Sequence, residues 1–125
     1  MKIKTRELKN TALDWAVAKC EGFVEDAFVD GDGNLLSHSW QDGEDYPYRY
    51  SINWVQGGPI IEREKIDIYH DGEGGVTSCI FGGWLEHGET PLIAAMRCYV
   101  ASKLGDEVEI PDMLVHVKWD RWGKS

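Results

Sequence analysis

Basic residues are scarce in this chain, where 13 Lys and Arg stand against 22 Asp and Glu for a formal net charge of −9 over 125 residues. That balance excludes sequence-independent binding to duplex nucleic acid or anionic membrane, because both draw their affinity from basic surface that releases counterions. A single anion held in a local basic pocket is still compatible with it. Cysteine is sparse too: three residues, at positions 20, 79 and 98, with no C-x-x-C spacing. An odd, scattered set excludes a disulfide framework, and Cys79 and Cys98 read as reduced, buried structural thiols. His38, His70, His87 and His116 fall in different segments without H-x-x-x-H or H-E-x-x-H spacing, so no metal site is expected. Neither a P-loop nor a dinucleotide fingerprint is present, and no cofactor is expected. No apolar run approaches the ~20 residues of a membrane span, and residues 1–6 form no signal-type apolar region. The expectation is a cytoplasmic protein without membrane contact. The acidic turn that starts at Asp30 has cation-loop spacing, but its sixth position is Leu35 where the sharp turn needs glycine, and its twelfth is Gln41 where a bidentate Glu is needed.

What is present supports one folded domain. A hydrophobic fraction of 42%, an aromatic fraction of 11% and six tryptophans can build a core without staples. The densest window is Asn53-Trp-Val-Gln-Gly-Gly-Pro-Ile-Ile-Glu-Arg-Glu-Lys-Ile66. Glycine freedom at Gly57 and Gly58 followed by the fixed φ of Pro59 predicts a turn. From residue 60 the pattern then reads as a mixed edge strand, with Glu62, Glu64, Ile66 and Ile68 on one side. The same window offers a binding constellation: Trp54 to stack, Gln56 and the Gly57-Gly58 backbone to hydrogen-bond, and Arg63 to supply charge.

Two helices flank it, over 11–21 and 91–104. For the first, Thr11 reads as the N-cap and Gly22 as the stop, with Leu13, Ala16, Val17 and Cys20 on one face. Trp15 points away from that face, either into a second packing surface or as a wall for the ligand. For the second, Thr90 caps, Pro91 opens and Gly105 stops. Its Ala94, Ala95, Cys98, Ala101 and Ser102 form a small-residue face, which allows close packing within the chain or in a homo-oligomer. Arg97 is its one charge away from the terminal Lys103 and, if buried, needs an anion: Asp14, Glu62, Glu64 or a ligand phosphate or carboxylate. Residues 66–70 and 76–81 bracket a Gly/Asp turn as a hairpin, and 34–40 pairs back onto 23–29. Residues 41–50 and 82–88 read as loops, 106–111 as an extended exit, and 112–125 as a tail that either adds an edge strand or lies over the domain. The fold class is α+β: one small domain over 1–111, an antiparallel sheet and two main helices.

The blocks 11–21 (Thr-Ala-Leu-Asp-Trp-Ala-Val-Ala-Lys-Cys-Glu), 53–66 and 90–111 (Thr-Pro-Leu-Ile-Ala-Ala-Met-Arg-Cys-Tyr through Ile-Pro) together resemble the NinX-like family of lambdoid phages and prophages. The chain departs from that pattern in the acidic loop before Tyr50 and in the tail after Pro111. The resemblance implies a phage accessory protein in the host cytoplasm and carries over no catalytic residue. The function expected is a non-enzymatic binding module that sequesters a small anionic, nucleotide-type host ligand as counter-defence, through Trp54, Gln56, Gly57, Gly58, Arg63, Arg97 and Trp15. The alternative is an inhibitor that occupies a host protein with an acidic, Trp-rich surface. A small nucleotide-acting enzyme is the third reading.

Overall fold

The computed structural model describes residues 1–22, 27–29, 34–37, 46–70, 77–81 and 83–115. In chain order these form β1 (Lys2–Lys4), a 3-10 turn at Thr5–Glu7, α1 (Asn10–Glu21), β2 (Ala27–Val29), β3 (Leu35–Ser37), β4 (Tyr46–Pro47), α2 (Trp54–Glu64), β5 (Asp67–His70), β6 (Thr77–Phe81), β7 (Trp84–Gly88), α3 (Pro91–Leu104), β8 (Glu107–Glu109) and α4 (Asp112–Val115). The described strands pair in three small antiparallel sheets, β1-β8, β2-β3-β4 and β5-β6-β7, which makes the class α+β. The turns at 30–33 and 71–76, most of the acidic loop, and residues 116–125, where the added strand was expected, lie outside the described residues. The part of the tail that is described, α4, is a helical turn that buries Leu114 in the core.

α3 is the centre. Thr90 Oγ1 accepts from Ile93 N, Pro91 opens the helix and Gly105 closes it, as the sequence predicts. Its Leu92, Met96, Tyr99 and Val100 are buried, and so are Ala94, Ala95, Cys98 and Ala101 on the other side. It packs against β5, β6 and β7, against α1 and α2, and against the 3-10 turn and β8. The small-residue face is thus covered within the chain, where short side chains let strand and helix backbones approach closely. At Gly88 the approach is closest: a β-carbon there would lie 2.5 Å from Ala94 N.

α1 begins a residue earlier than expected, at Asn10 with φ 53°, and Thr11 is buried in its first turn rather than capping it. Every residue from 11 to 18 is buried, so the helix has no single inner face. Trp15, 6% exposed, belongs to the core cluster, with the Lys19 ammonium 5.4 Å from its ring centroid. Tyr48 and Tyr50 from the preceding loop stack at 5.8 Å and are also buried.

The central window departs most from expectation: residues 54–64 form helix α2, neither a glycine turn nor a strand. Asn53 Oδ1 accepts from Val55 N at 2.8 Å and caps the helix. Gly57 and Ile60 are buried and Ile61 packs beside them, the i, i+3, i+4 spacing of an amphipathic helix. Gly57 is there for approach rather than for a turn. A β-carbon on it would meet Leu92 Cδ1 at 2.5 Å and the Tyr50 carbonyl at 2.6 Å. Pro59 remains inside the helix despite the hydrogen bond it forfeits, a penalty of about 3 kcal/mol that packing of this face onto α3 must offset. Lys65 ends the helix with φ 56°, its N–H returning to Ile61 O. The 82–88 segment, read as a loop, contains strand β7, paired with β6 from Phe81↔Trp84 to Thr77↔Gly88.

Two predictions follow from this packing. Gly57→Ala should lower the denaturation midpoint by an amount equivalent to about 1–3 kcal/mol, since its β-carbon meets backbone. Gly58→Ala, whose β-carbon would meet nothing nearer than Trp54 Cε3 at 3.5 Å, should raise stability by about 0.5–1 kcal/mol through helix propensity. A urea titration of the pair reads the opposite signs. The second concerns Asp14 of α1, whose Oδ1 accepts from Ser51 N at 2.8 Å and ties α1 to the lead-in of α2. Burial pushes its carboxyl up to about 7, against the opposing pull of Ser51 and Arg49. A folded pKa above the ordinary 3.8 means the native state holds a proton that the unfolded chain has released, so stability falls as pH rises from about 4 to 7. The slope at its steepest is about 1.4 kcal/mol per pH unit. Asp14→Asn keeps the acceptor for Ser51 and should flatten that part of the urea-midpoint profile. The difference between the two proteins isolates this group from Glu86, which burial also raises, and from Glu21, which is lowered.

Candidate functional site

Two hollows divide the residues that sequence points to. The first is an open depression of about 790 Å³ along α2, lined by Trp54, Gly58, Pro59, Glu62, Arg63 and Lys65. Trp54 stands in the first turn, 53% exposed, with its ring over Gly58 one turn on. Arg63 in the last turn is already engaged. Its Nη1 and Nη2 donate to the two Glu21 carboxylate oxygens at 3.1 and 2.7 Å, its Nε donates to Glu64 at 2.7 Å, and Nη2 also donates to Tyr99 Oη. Tyr99 Oη in turn donates to Glu21 at 2.5 Å. Burial would raise Glu21, but the hydrogen bonds from Arg63 and Tyr99 hold its carboxyl below the usual range. The group is a clamp from α2 to α1 and α3. Lys65 is therefore the cation of this depression whose charge is not committed to that clamp.

The other sequence-nominated residues are elsewhere. Gln56 Oε1 accepts from Arg49 N at 2.6 Å and braces the loop before α2. Gly57 is packed under Leu92, and Trp15 is in the core, so neither lines a hollow among the described residues. Arg97 lines the second hollow.

That second hollow, about 690 Å³, lies between β7, α3, the N-terminal strand and turn, and the start of β8. Its walls are set by backbone. Thr5, fully buried, donates through N to Asp106 O at 2.8 Å and through Oγ1 to Gly105 O at 2.6 Å, which fixes the 3-10 turn on the α3–β8 junction. Arg97 joins the other two walls, Nε donating to Leu8 O at 2.8 Å and Nη1 to His87 O at 2.9 Å. Asp14, Glu62 and Glu64 do not partner it, contrary to the carboxylate expectation. Carbonyl oxygens left over at the ends of a turn and a strand can satisfy a guanidinium fork without a second buried charge. Burial lowers the Arg97 pKa, and nearby Glu86 and Glu89 oppose that.

β7 alternates through this wall, with Leu85 and His87 exposed, Glu86 and Gly88 buried, and Trp84 half-buried. Glu86 is 9% exposed, and burial raises its pKa despite the charges of Arg97, His87 and Arg6. Lys4 and Arg6 stand exposed at the rim with Glu7, Asp106 and Glu107. Of this set sequence reading nominated only Arg97. Sequence takes 82–88 as a loop, so the alternation that turns Glu86 inward has no strand to act on, and Lys4 and Arg6 reach the site only through the long-range pairing of β1 with β8. Among the described residues, no group of three or more His, Cys, Asp and Glu is placed to hold a metal ion, and no helix is long and apolar enough to cross a membrane.

Residues 4–103 match the family described as Bacteriophage P22, NinX. The chain belongs to the NinX family. The match spans most of α3 and both of the hollows' helical walls, and it takes in the α2 window. No curated protein matches this NinX chain. Cys98, in the same NinX helix, is buried, with Sγ 3.3 Å from Trp84 O, a packing thiol that anchors β7.

Because Arg97 closes the hollow's walls by two hydrogen bonds, Arg97→Met should leave the Leu8 and His87 carbonyls without it and cost about 1–3 kcal/mol. A thermal melt would show a lowered midpoint, and a midpoint unchanged from wild type would mean that the walls stand without it.

Proposed function

We propose that this NinX protein is a non-enzymatic binding module which sequesters a small anionic, nucleotide-type ligand of the host, with the ligand in the hollow around Arg97. One observation carries the reading. On a chain with net charge −9, Lys4, Arg6 and Arg97 line one concavity together with a half-buried tryptophan, Trp84. An aromatic face for a base and a cationic rim for phosphate are the two elements that such a ligand needs. The hollow lies within the usual size range of small-molecule sites. Its rim also carries Glu7, Asp106 and Glu107, the last across from Lys4 in the β1-β8 ladder, and these interleaved acids disfavour a long polyanion more than a single mononucleotide phosphate.

The α2 depression supports a second reading, as a surface for a host protein. Ile52 at 59%, Trp54 at 53% and Val55 at 82% exposure put three large apolar side chains side by side at the start of α2. Exposed apolar clusters of this kind mark protein contacts, and tryptophan is prominent among the residues that dominate them.

Isothermal titration with a panel of nucleoside monophosphates tests the first reading. Binding should be measurable, and Arg6→Ala should weaken it about tenfold for every member of the panel, by loss of a charge-assisted contact to phosphate. Absence of binding to the whole panel at millimolar concentration defeats the reading. Val55→Arg should leave nucleotide affinity unchanged, and a host protein that co-purifies with wild type but not with this variant would transfer the function to the α2 face.

A further inference from the structure

Glu86 is the least expected group in the second hollow. Its side chain is in the inward register of β7, the residue is 9% exposed, and among the described residues no hydrogen bond or ion pair reaches its carboxylate. Ser51 Oγ is the buried side-chain oxygen without a partner among the described residues, so the Glu86 oxygens keep contact with solvent and open onto the hollow while the rest of the residue is packed away. Arg97 is close enough to act on it electrostatically, yet the two do not close an ion pair: Arg97 turns Nε and Nη1 to the Leu8 and His87 carbonyls instead. Its Nη2 has no partner among the described residues. The carboxylate, which only accepts, and Nη2, which only donates, thus belong to side chains that line one hollow together with Trp84, Lys4 and Arg6.

A ligand edge that complements this arrangement presents two adjacent N–H donors to the carboxylate and an acceptor to the guanidinium. Among the nucleobases that is guanine, with N1–H and the N2 amino group as the donor pair and O6 as the neighbouring acceptor. Adenine offers one amino group beside a ring acceptor, which would meet the carboxylate lone pair to lone pair. Cytosine and uracil lack a second adjacent donor. Resting on the mononucleotide reading above, we infer that the hollow selects a guanine nucleotide, with Glu86 pairing the N1–H and N2–H₂ edge, Arg97 donating to O6, Trp84 stacking on the ring and Lys4 and Arg6 taking the phosphate. Glu86 is then the specificity-determining residue, and the ligand supplies the donors that the fold withholds from it.

The experiment is titration of the whole chain and of Glu86→Gln with GMP, IMP and AMP, after circular dichroism confirms that the variant is folded. IMP keeps N1–H and O6 but lacks the N2 amino group, so it removes half of the Glu86 contact alone. Wild type should prefer GMP over AMP by about tenfold or more, with IMP between them. Glu86→Gln should weaken GMP and strengthen AMP, so that the GMP preference is lost or reversed, because glutamine turns one acceptor into a donor that opposes the guanine edge and meets the adenine ring nitrogen. Nucleotides that bind wild type without preference, or a GMP preference that survives in Glu86→Gln, overturn this inference and leave the mononucleotide reading intact. Absence of binding by all three overturns both. As a check on a merely structural Glu86, Arg6→Ala should weaken GMP, IMP and AMP by the same factor and preserve their order, whereas Glu86→Gln changes the order.

Discussion

Burial of α3 on nearly every side is the constraint from which the rest of the molecule follows. Burial leaves it no polar face to expose, so α1, α2, the β5-β6-β7 sheet, the 3-10 turn and β8 all close over it. The three sheets are too small to be stable alone: β5-β6-β7 and β1-β8 cover parts of this helix, and β2-β3-β4 packs through β3 on α1. Gly57 and Gly88 belong to the same requirement, one bringing α2 down onto Leu92 and the other bringing β7 against the first turn of α3. Packing at that density leaves little freedom for the elements to shift relative to one another.

Charge is managed at the margin of that core. Arg63 bridges α2 to α1 and α3 through Glu21 and Tyr99, and because it is half exposed this clamp orients helices more than it stabilises them. Asp14 is buried and works through its bond to Ser51 N, while Ser51 Oγ is buried close by without a well-formed hydrogen bond. Arg97 holds three segments together by their carbonyls. Glu86 alone among these groups is given no donor, and it faces the one hollow where Arg97, Trp84 and the N-terminal cations meet. Among the described residues Asp14, Arg63 and Arg97 have hydrogen bonds within the protein and Glu86 has none, so the hollow that Glu86 lines is where a ligand can supply them.

Legibility varied with how local the signal was. The Thr90-Pro91 start and Gly105 stop of α3 are chemistry within one turn, and they were readable. So was the β5-β6 hairpin, whose strands flank their own turn residues. α2 was not, because Gly57, Gly58 and Pro59 are punctuation by local rules and only the contact of Gly57 with Leu92 explains why a helix carries them. With the helix misread as a strand, Arg63 and Arg97 looked like partners in one site, whereas the fold sends one to Glu21 and the other to two carbonyls. The exposure of Trp54 follows from its place in the first turn of α2.

The sequence by itself determined the class of fold, the two long helices and the family, since each depends on composition or on residues within a few positions of one another. Tertiary structure decided which charges are matched and which are left open. Glu86, Arg97, Lys4 and Arg6 lie in four different segments, and whether a carboxylate finds a donor depends on distances that no local pattern encodes. The candidate site is the product of that long-range mismatch, created when β7 and the N-terminal turn close over α3 and leave the Glu86 carboxylate without a donor in the hollow that Arg97 also lines.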